Sequence, residues 1–219
     1  MKAFFISYFH RPAQPAFRRM VGLAVLLFCL AAQPLHGGPP PVILAFGDSL
    51  TAGFGVAEKN SYPARLQEIL KRHGHSYRIV NAGVTGDTTA GGLRRIDWLL
   101  RLKPAIVILE LGANDGLRGL PLSEMRANLE KIIRRCREAN ARVLLAGMKI
   151  PPNYGGAYTR EFEATFDRLA ETYRLNYIPF FLEGVAAKRE LTQADGIHPL
   201  GPGYKIVAET VWNYLEPML

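Results

Sequence analysis

Five short runs rich in Val, Ile and Leu recur along the chain: Val42–Phe46, Arg78–Asn81, Ala105–Leu111, Val143–Met148 and Asn176–Phe180. Several are apolar at nearly every position, the pattern of strands buried on both faces rather than of a sheet with one wet side. Between and after them lie longer stretches whose apolar residues repeat every three or four positions. These predict helices over about 61–73, 88–102, 121–139, 159–174 and 202–215. Pro121 and Ser123 suit the start of the third helix, Asn140 suits its end, and Gly201-Pro202 opens the last. Strands alternating with helices predict an α/β fold built on a parallel sheet with right-handed crossovers. Trp98 and Trp212 both fall on helices and are expected in the core.

The first 36 residues break this pattern. Lys2, Arg11, Arg18 and Arg19 make a basic segment with no acidic residue, Val21–Ala32 is a 12-residue apolar run, and Gln33-Pro34 ends it. That order is the one a secretory signal uses, with cleavage expected after Ala32. The run is shorter than the ~18 apolar residues that suggest a membrane span. An uncleaved anchor is the competing reading. The chain is therefore expected to be exported, with residues 1–36 as signal and 37–219 as a single domain. Gly37–Pro41 (GGPPP) reads as a short linker at its start.

Setting the segment aside changes what the charge implies. The full chain carries 27 basic and 19 acidic residues; four of the basic ones precede residue 37, which leaves 23 against 19, a net charge of +4. So modest an excess does not point to nucleic acid, and neither zinc-finger spacing nor aromatic–basic interleaving is present. The densest cluster, Arg134-Arg135-Cys136-Arg137, sits on a predicted helix and reads as a solvated face. Cys29 lies in the apolar run, so Cys136 is left alone after export and no internal disulfide is expected. In mid-helix it reads as a small buried hydrophobe.

The chemistry collects where strands end. After the first strand come Gly47-Asp48-Ser49, after the second Gly83-Val84-Thr85-Gly86-Asp87-Thr88, and after the third Gly112-Ala113-Asn114-Asp115-Gly116. In a parallel sheet these loops share one edge, where open α/β sheets bind ligands. Ser49 offers a hydroxyl and an N–H, Gly86 an N–H with no side chain in the way, and Asn114 an amide. Three such donors suit an oxyanion hole, Ser49 serving also as nucleophile. Asp48 and Asp87 read as structural, bonding loop N–H groups beside Ser49 and at the start of the second helix.

The serine needs a base. After the signal the histidines are His73, His75 and His198. The first two flank Gly74 at a helix end, where a cation is favoured, and read as structural. His198 follows Asp195 by three residues in Asp195-Gly196-Ile197-His198-Pro199. A tight loop can bring that carboxylate to Nδ1–H and leave Nε2 facing the serine. The order Ser, Asp, His is that of α/β-hydrolases, but the gap is shorter and the G-x-S-x-G elbow is missing. Each block alone is ordinary turn chemistry; all four in order, each after a predicted strand, are not.

Together the blocks resemble the SGNH (GDSL) hydrolases, through FGDSLTAG around Ser49, NAGVTGDTT with Gly86, ELGANDGLRG with Asn114, and DGIHP with Asp195 and His198. The likeness runs over residues 42–217 and is nearest to the periplasmic multifunctional thioesterase/protease/lysophospholipase group and its arylesterase relatives, which implies a bacterial periplasm as the destination. It implies a three-layer flavodoxin-like sandwich with strand order 2-1-3-4-5 and a shallow, exposed site. It also implies a loop at residues 115–120 that shifts on acyl binding, and an acyl groove lined by Ile150, Pro151, Asn153 and Tyr154. The activity implied is hydrolysis of esters and thioesters through an acyl-Ser49 intermediate, with His198 as base and Asp195 orienting it. No cofactor or metal is expected. The expected partner is an acyl ester or thioester, small or lipid, acted on by a monomer that binds no nucleic acid and keeps no membrane anchor after cleavage. A carbohydrate acetylesterase and a noncatalytic lipid-binding protein are the alternatives.

Overall fold

The computed structural model describes residues 38–219, and the expected signal segment lies outside them. Strands β1 (Val42–Gly47), β2 (Arg78–Gly83), β3 (Ile106–Glu110), β4 (Arg142–Ala146) and β5 (Asn176–Ile178) form one sheet in the order β2-β1-β3-β4-β5. All neighbours pair in parallel. The two central strands are buried at every residue, which is why VILAF and IVILE carry no polar alternation. The edge strands are half exposed, and there the sequence admits Arg78, Asn81 and Asn176.

Among the described residues seven α-helices accompany the sheet: α1 (Ser49–Ala52), α2 (Tyr62–Arg72), α3 (Thr89–Leu100), α4 (Ala113–Leu117), α5 (Leu122–Glu138), α6 (Gly156–Tyr173) and α7 (Gly201–Leu215). The five long ones fall where periodicity places them. α1 and α4 are single turns inside segments expected to be loops, too short to show a 3.6-residue repeat. α2 packs on α7, while α5 packs on both α3 and α6. Two helices thus cover one face and three the other, as right-handed crossovers require. Starts and stops follow local chemistry: the Thr88 hydroxyl accepts from Gly91 N–H at the head of α3, and α6 ends at Arg174 in the left-handed region.

Two expectations about side chains change. Trp212 is buried, but Trp98 is 67 % exposed. The buried stripe of α3 runs through Gly92, Ile96 and Leu99, and Trp98 stands about 200° round the helix from Ile96, on the wet side. The cluster Arg134-Arg135-Cys136-Arg137 does more than face solvent. Arg135 donates to Leu93 O and Asp97 on α3, while Arg134 and Arg137 lie over the Tyr173 ring on α6. Cys136 is buried and unpaired, and burial pushes its thiol up to about 12, so it is held as the unreactive neutral form.

Candidate active site

The carboxyl ends of β1, β2 and β3 bring three loops together, and the loop before α7 closes over them. Ser49 stands at the first position of α1, 7 % exposed. Its Oγ lies 2.9 Å from His198 Nε2, and His198 Nδ1 lies 2.7 Å from Asp195 Oδ2. A carboxylate can only accept, so Nδ1 carries the proton and Nε2 is the acceptor turned toward the serine. The other Asp195 oxygen accepts from the N–H groups of Ile197 and His198, at 2.9 and 3.0 Å, around a turn in which Gly196 has φ +72°. Burial works to raise the Asp195 pKa, but these bonds and the imidazole together hold it below the ordinary aspartate value.

Facing this row are the donors read from the other loops. A cleft of about 140 Å³ is lined by Ser49, Thr85, Gly86, Asn114, Leu117 and His198, among others. Gly86 has φ +77°, and a Cβ there would meet only Arg118, at 3.5 Å, so backbone angle rather than crowding calls for glycine. Its carbonyl accepts from the Arg118 guanidinium at 2.8 Å. The Asn114 amide gives one N–H to Asp48 Oδ2, at 3.0 Å, which fixes its flip and leaves the second N–H beside the cleft.

Below the serine is a buried polar cluster. Asp48 accepts from Leu50 N–H as well as Asn114, yet burial is the larger influence and pushes its carboxyl up to about 6. Glu110, fully buried at the end of β3, accepts from the Thr51 hydroxyl at 2.7 Å and from Asp48 N–H at 3.3 Å. Its pKa is raised well above the usual range, first by desolvation and then by the neighbouring Asp48. Glu110 Oε1 and the Tyr204 hydroxyl find no hydrogen-bond partner among the described residues. Arg95 completes the floor: it donates to Gly47 O, Ala82 O and Asp87, with its guanidinium 4.3 Å above the Phe46 ring. Asp87 therefore pairs with Arg95 instead of capping α3, a task that Thr88 takes.

Beside the cleft, and sharing Ala113, Leu117 and Ile197 with it, runs an apolar groove of about 300 Å³. Ile150 and Pro151 line it, together with Pro152, Met148, Phe180 and Leu182. Asn153 and Tyr154 do not. The Tyr154 hydroxyl instead donates to Leu117 O, and Tyr158 donates to Leu120 O, so two tyrosines brace the segment after Asn114. The buried Asp115 anchors the same segment by accepting from Thr89 N–H and Oγ1.

Glu110, Arg95, Thr51 and the groove residues Met148, Phe180 and Leu182 have no signal in local spacing; each reaches the site only through the sheet order. Among the described residues no cluster of three or more His, Cys, Asp or Glu side chains is arranged to hold a metal ion.

Residues 45–206 match the model of the GDSL-like Lipase/Acylhydrolase family. Esterase TesA of Pseudomonas aeruginosa is 42 % identical over 81 % of this chain and 89 % of its own length. A crystal structure of TesA aligns with a TM-score of 0.79 at 42 % identity, over 81 % of this chain and 99 % of that one. An arylesterase of Vibrio mimicus is 39 % identical over 85 % of this chain and 92 % of its own. The thioesterase 1/protease 1/lysophospholipase L1 of Escherichia coli K12 is 35 % identical over 81 % and 84 % respectively.

Proposed function

The chain belongs to the GDSL-like lipase/acylhydrolase family and is a serine hydrolase of esters and thioesters; we propose that Ser49 is its nucleophile, His198 its base and Asp195 the group that orients the base. The observation that carries this reading is the unbroken hydrogen-bonded row Asp195–His198–Ser49 at the mouth of a cleft.

In this mechanism His198 Nε2 takes the Ser49 proton as Oγ attacks the acyl carbon. The carbonyl oxygen, now bearing negative charge, is held by the N–H groups of Ser49 and Gly86 and by the free N–H of Asn114. Collapse of the tetrahedral intermediate expels the alcohol or thiol, which takes the proton from Nε2. Water then repeats the sequence on the acyl-Ser49 intermediate. Asp195 stabilises the imidazolium formed in each half-reaction and keeps Nδ1 protonated. The acyl chain extends into the apolar groove, where Ile150 and Pro151 contact it and where Tyr154 acts through the Leu117 wall it supports. The apolar run at 21–32 supports export, after which residues 37–219 work as a single-domain monomer without a membrane anchor.

Ser49→Ala tests the assignment. Turnover of a nitrophenyl ester and labelling by a fluorophosphonate probe are both expected to disappear, with the circular dichroism spectrum unchanged. Retained turnover in that variant would overturn the assignment.

A further inference from the structure

The hydrogen-bonded row leaves one wall of the site unassigned. Phe54 is 45 % exposed, although it is a large apolar residue, and its ring centroid lies 4.7 Å from that of the His198 imidazole at a 49° tilt. Both ends of the residue are tied. Its N–H donates to the carbonyl of Ser49 itself at 3.0 Å, and its own carbonyl accepts from Gln193 Nε2 at 2.8 Å. Gly53 and Gly55 on either side have φ of +82° and +77°, and a Cβ on Gly55 would lie 2.3 Å from Gln193 Oε1. The Gly-Phe-Gly turn is therefore tied on both sides of Phe54, and it presents an aromatic face beside the base. Phe54 lines neither the cleft of the oxyanion donors nor the apolar groove.

The chemistry says what sits there. In acylation the Ser49 Oγ–carbon bond forms, the bond from that carbon to the leaving oxygen breaks, and the proton on His198 Nε2 moves to that oxygen. The leaving oxygen must therefore pass within hydrogen-bond reach of Nε2. The acyl chain has the groove and the carbonyl oxygen has its donors, so the substituent on the leaving oxygen is the part of the substrate that remains to be placed. We propose that Phe54 is a specificity-determining residue that stacks against the leaving group of the ester, favouring flat aromatic alcohols over saturated ones. Ring-on-ring contact in offset or tilted geometry adds to simple apolar burial, which a saturated leaving group of equal size would gain alone. The inference rests on the assignment of Ser49 and His198 above.

The reaction itself separates this role from a merely structural one. Acylation contains the leaving group; hydrolysis of the acyl-enzyme does not, but it still needs His198. Phenyl and cyclohexyl esters of the same short fatty acid are compared by kcat/KM, and deacylation of the common acyl-enzyme is followed after a burst. Phe54→Leu, which keeps apolar bulk but loses the ring, is expected to lower kcat/KM roughly five- to tenfold for the phenyl ester and less than twofold for the cyclohexyl ester, with the deacylation rate retained; Phe54→Ala should lower both, the phenyl ester by the larger factor. Phe54→Trp should keep or raise the phenyl preference. Equal losses on both esters with slowed deacylation would make Phe54 a prop for His198 and overturn the proposal, as would no change on either ester. Turnover by Ser49→Ala would remove the premise instead, whatever the Phe54 variants do.

Discussion

The two halves of the hydrogen-bonded row are built in opposite ways. Ser49 sits on buried ground supported from afar: Glu110 arrives from β3, Arg95 from α3 and Asn114 from α4, at sequence distances of 62, 48 and 66 residues in the bonds they make. Apart from the bond to Ser49, Asp195 and His198 are held by bonds within their own loop that span two to five residues, with side chains 40 % and 19 % exposed. One half is part of the core's own polar bracing; the other is a self-contained turn laid over it. Damage to the first should therefore reach stability as well as chemistry, and damage to the second should reach chemistry alone.

The largest effect tests the second statement. His198→Ala is expected to lower kcat by about 10⁵- to 10⁶-fold, as when a member of a catalytic unit is lost. Its midpoint of thermal unfolding should stay within about 2 °C of wild type, because the ring lies in a locally bonded surface loop. A shift well beyond that, read by calorimetry, would break the contrast. Next comes Asn114→Ala, which removes one oxyanion donor and should cost about 10²- to 10³-fold in kcat, or roughly 2.7–4 kcal/mol, with KM little changed. Because Asp48 also loses a donor, a stability loss of about 1 kcal/mol should accompany it, which His198→Ala should not show.

Glu110 tests the first statement without touching substrate. Glu110→Ala leaves the Thr51 hydroxyl and Asp48 N–H without their acceptor and opens a cavity, at an expected cost of about 2–4 kcal/mol in urea unfolding. Glu110→Gln keeps an acceptor oxygen and removes the conflict with Asp48, so it should stay within about 1 kcal/mol of wild type. Equal losses in the two variants would deny that the acceptor oxygen at this position is what supports Thr51 and Asp48.

The smallest effect is one of sign. Asp48 is raised from the ordinary 3.8 to about 6, first by burial. The folded state therefore binds that proton more tightly than the unfolded state. Its contribution is complete below about pH 4 and is lost as pH rises through 6. Asp195 is shifted the other way, so its contribution is present above about pH 4 and is lost as pH falls below its lowered folded value. The stability of wild type relative to Asp48→Asn should thus decline between pH 4.5 and 7.5 in urea titrations. A rise would reverse the electrostatic picture of the buried half.

The same contrast explains what could be read from the chain alone. The central strands, the five long helices and the turn around Asp195 and His198 are local matters of apolar spacing and turn residues, and they are legible as such. The resemblance to known blocks adds the strand order. Glu110 is hidden because, in ELGAND, it reads as the next-to-last residue of an apolar strand, and nothing nearby announces that β3 will lie beside β1 with Thr51 above it. Arg95 looks like any surface arginine on α3 until β1 and β2 end beneath it. Trp98 misleads for a simpler reason: bulk and apolarity suggest burial, while the angle around α3 decides against it. The groove differs from expectation for the same cause, since Phe180 and Leu182 come from beyond β5 and Tyr154 turns away to hold Leu117.

The bond between Ser49 and His198 joins residues 149 positions apart, near the two ends of the folded unit. Contacts that close so long a loop repay their entropy only after the intervening strands have paired. Catalytic competence is therefore a late event in the life of each molecule. A chain still being synthesised already holds the proposed nucleophile but not yet the proposed base, so it should not attack the acyl groups around it. In refolding, esterase activity should return after helical dichroism has recovered, so that hydrolysis itself serves as the clock for the last docking step.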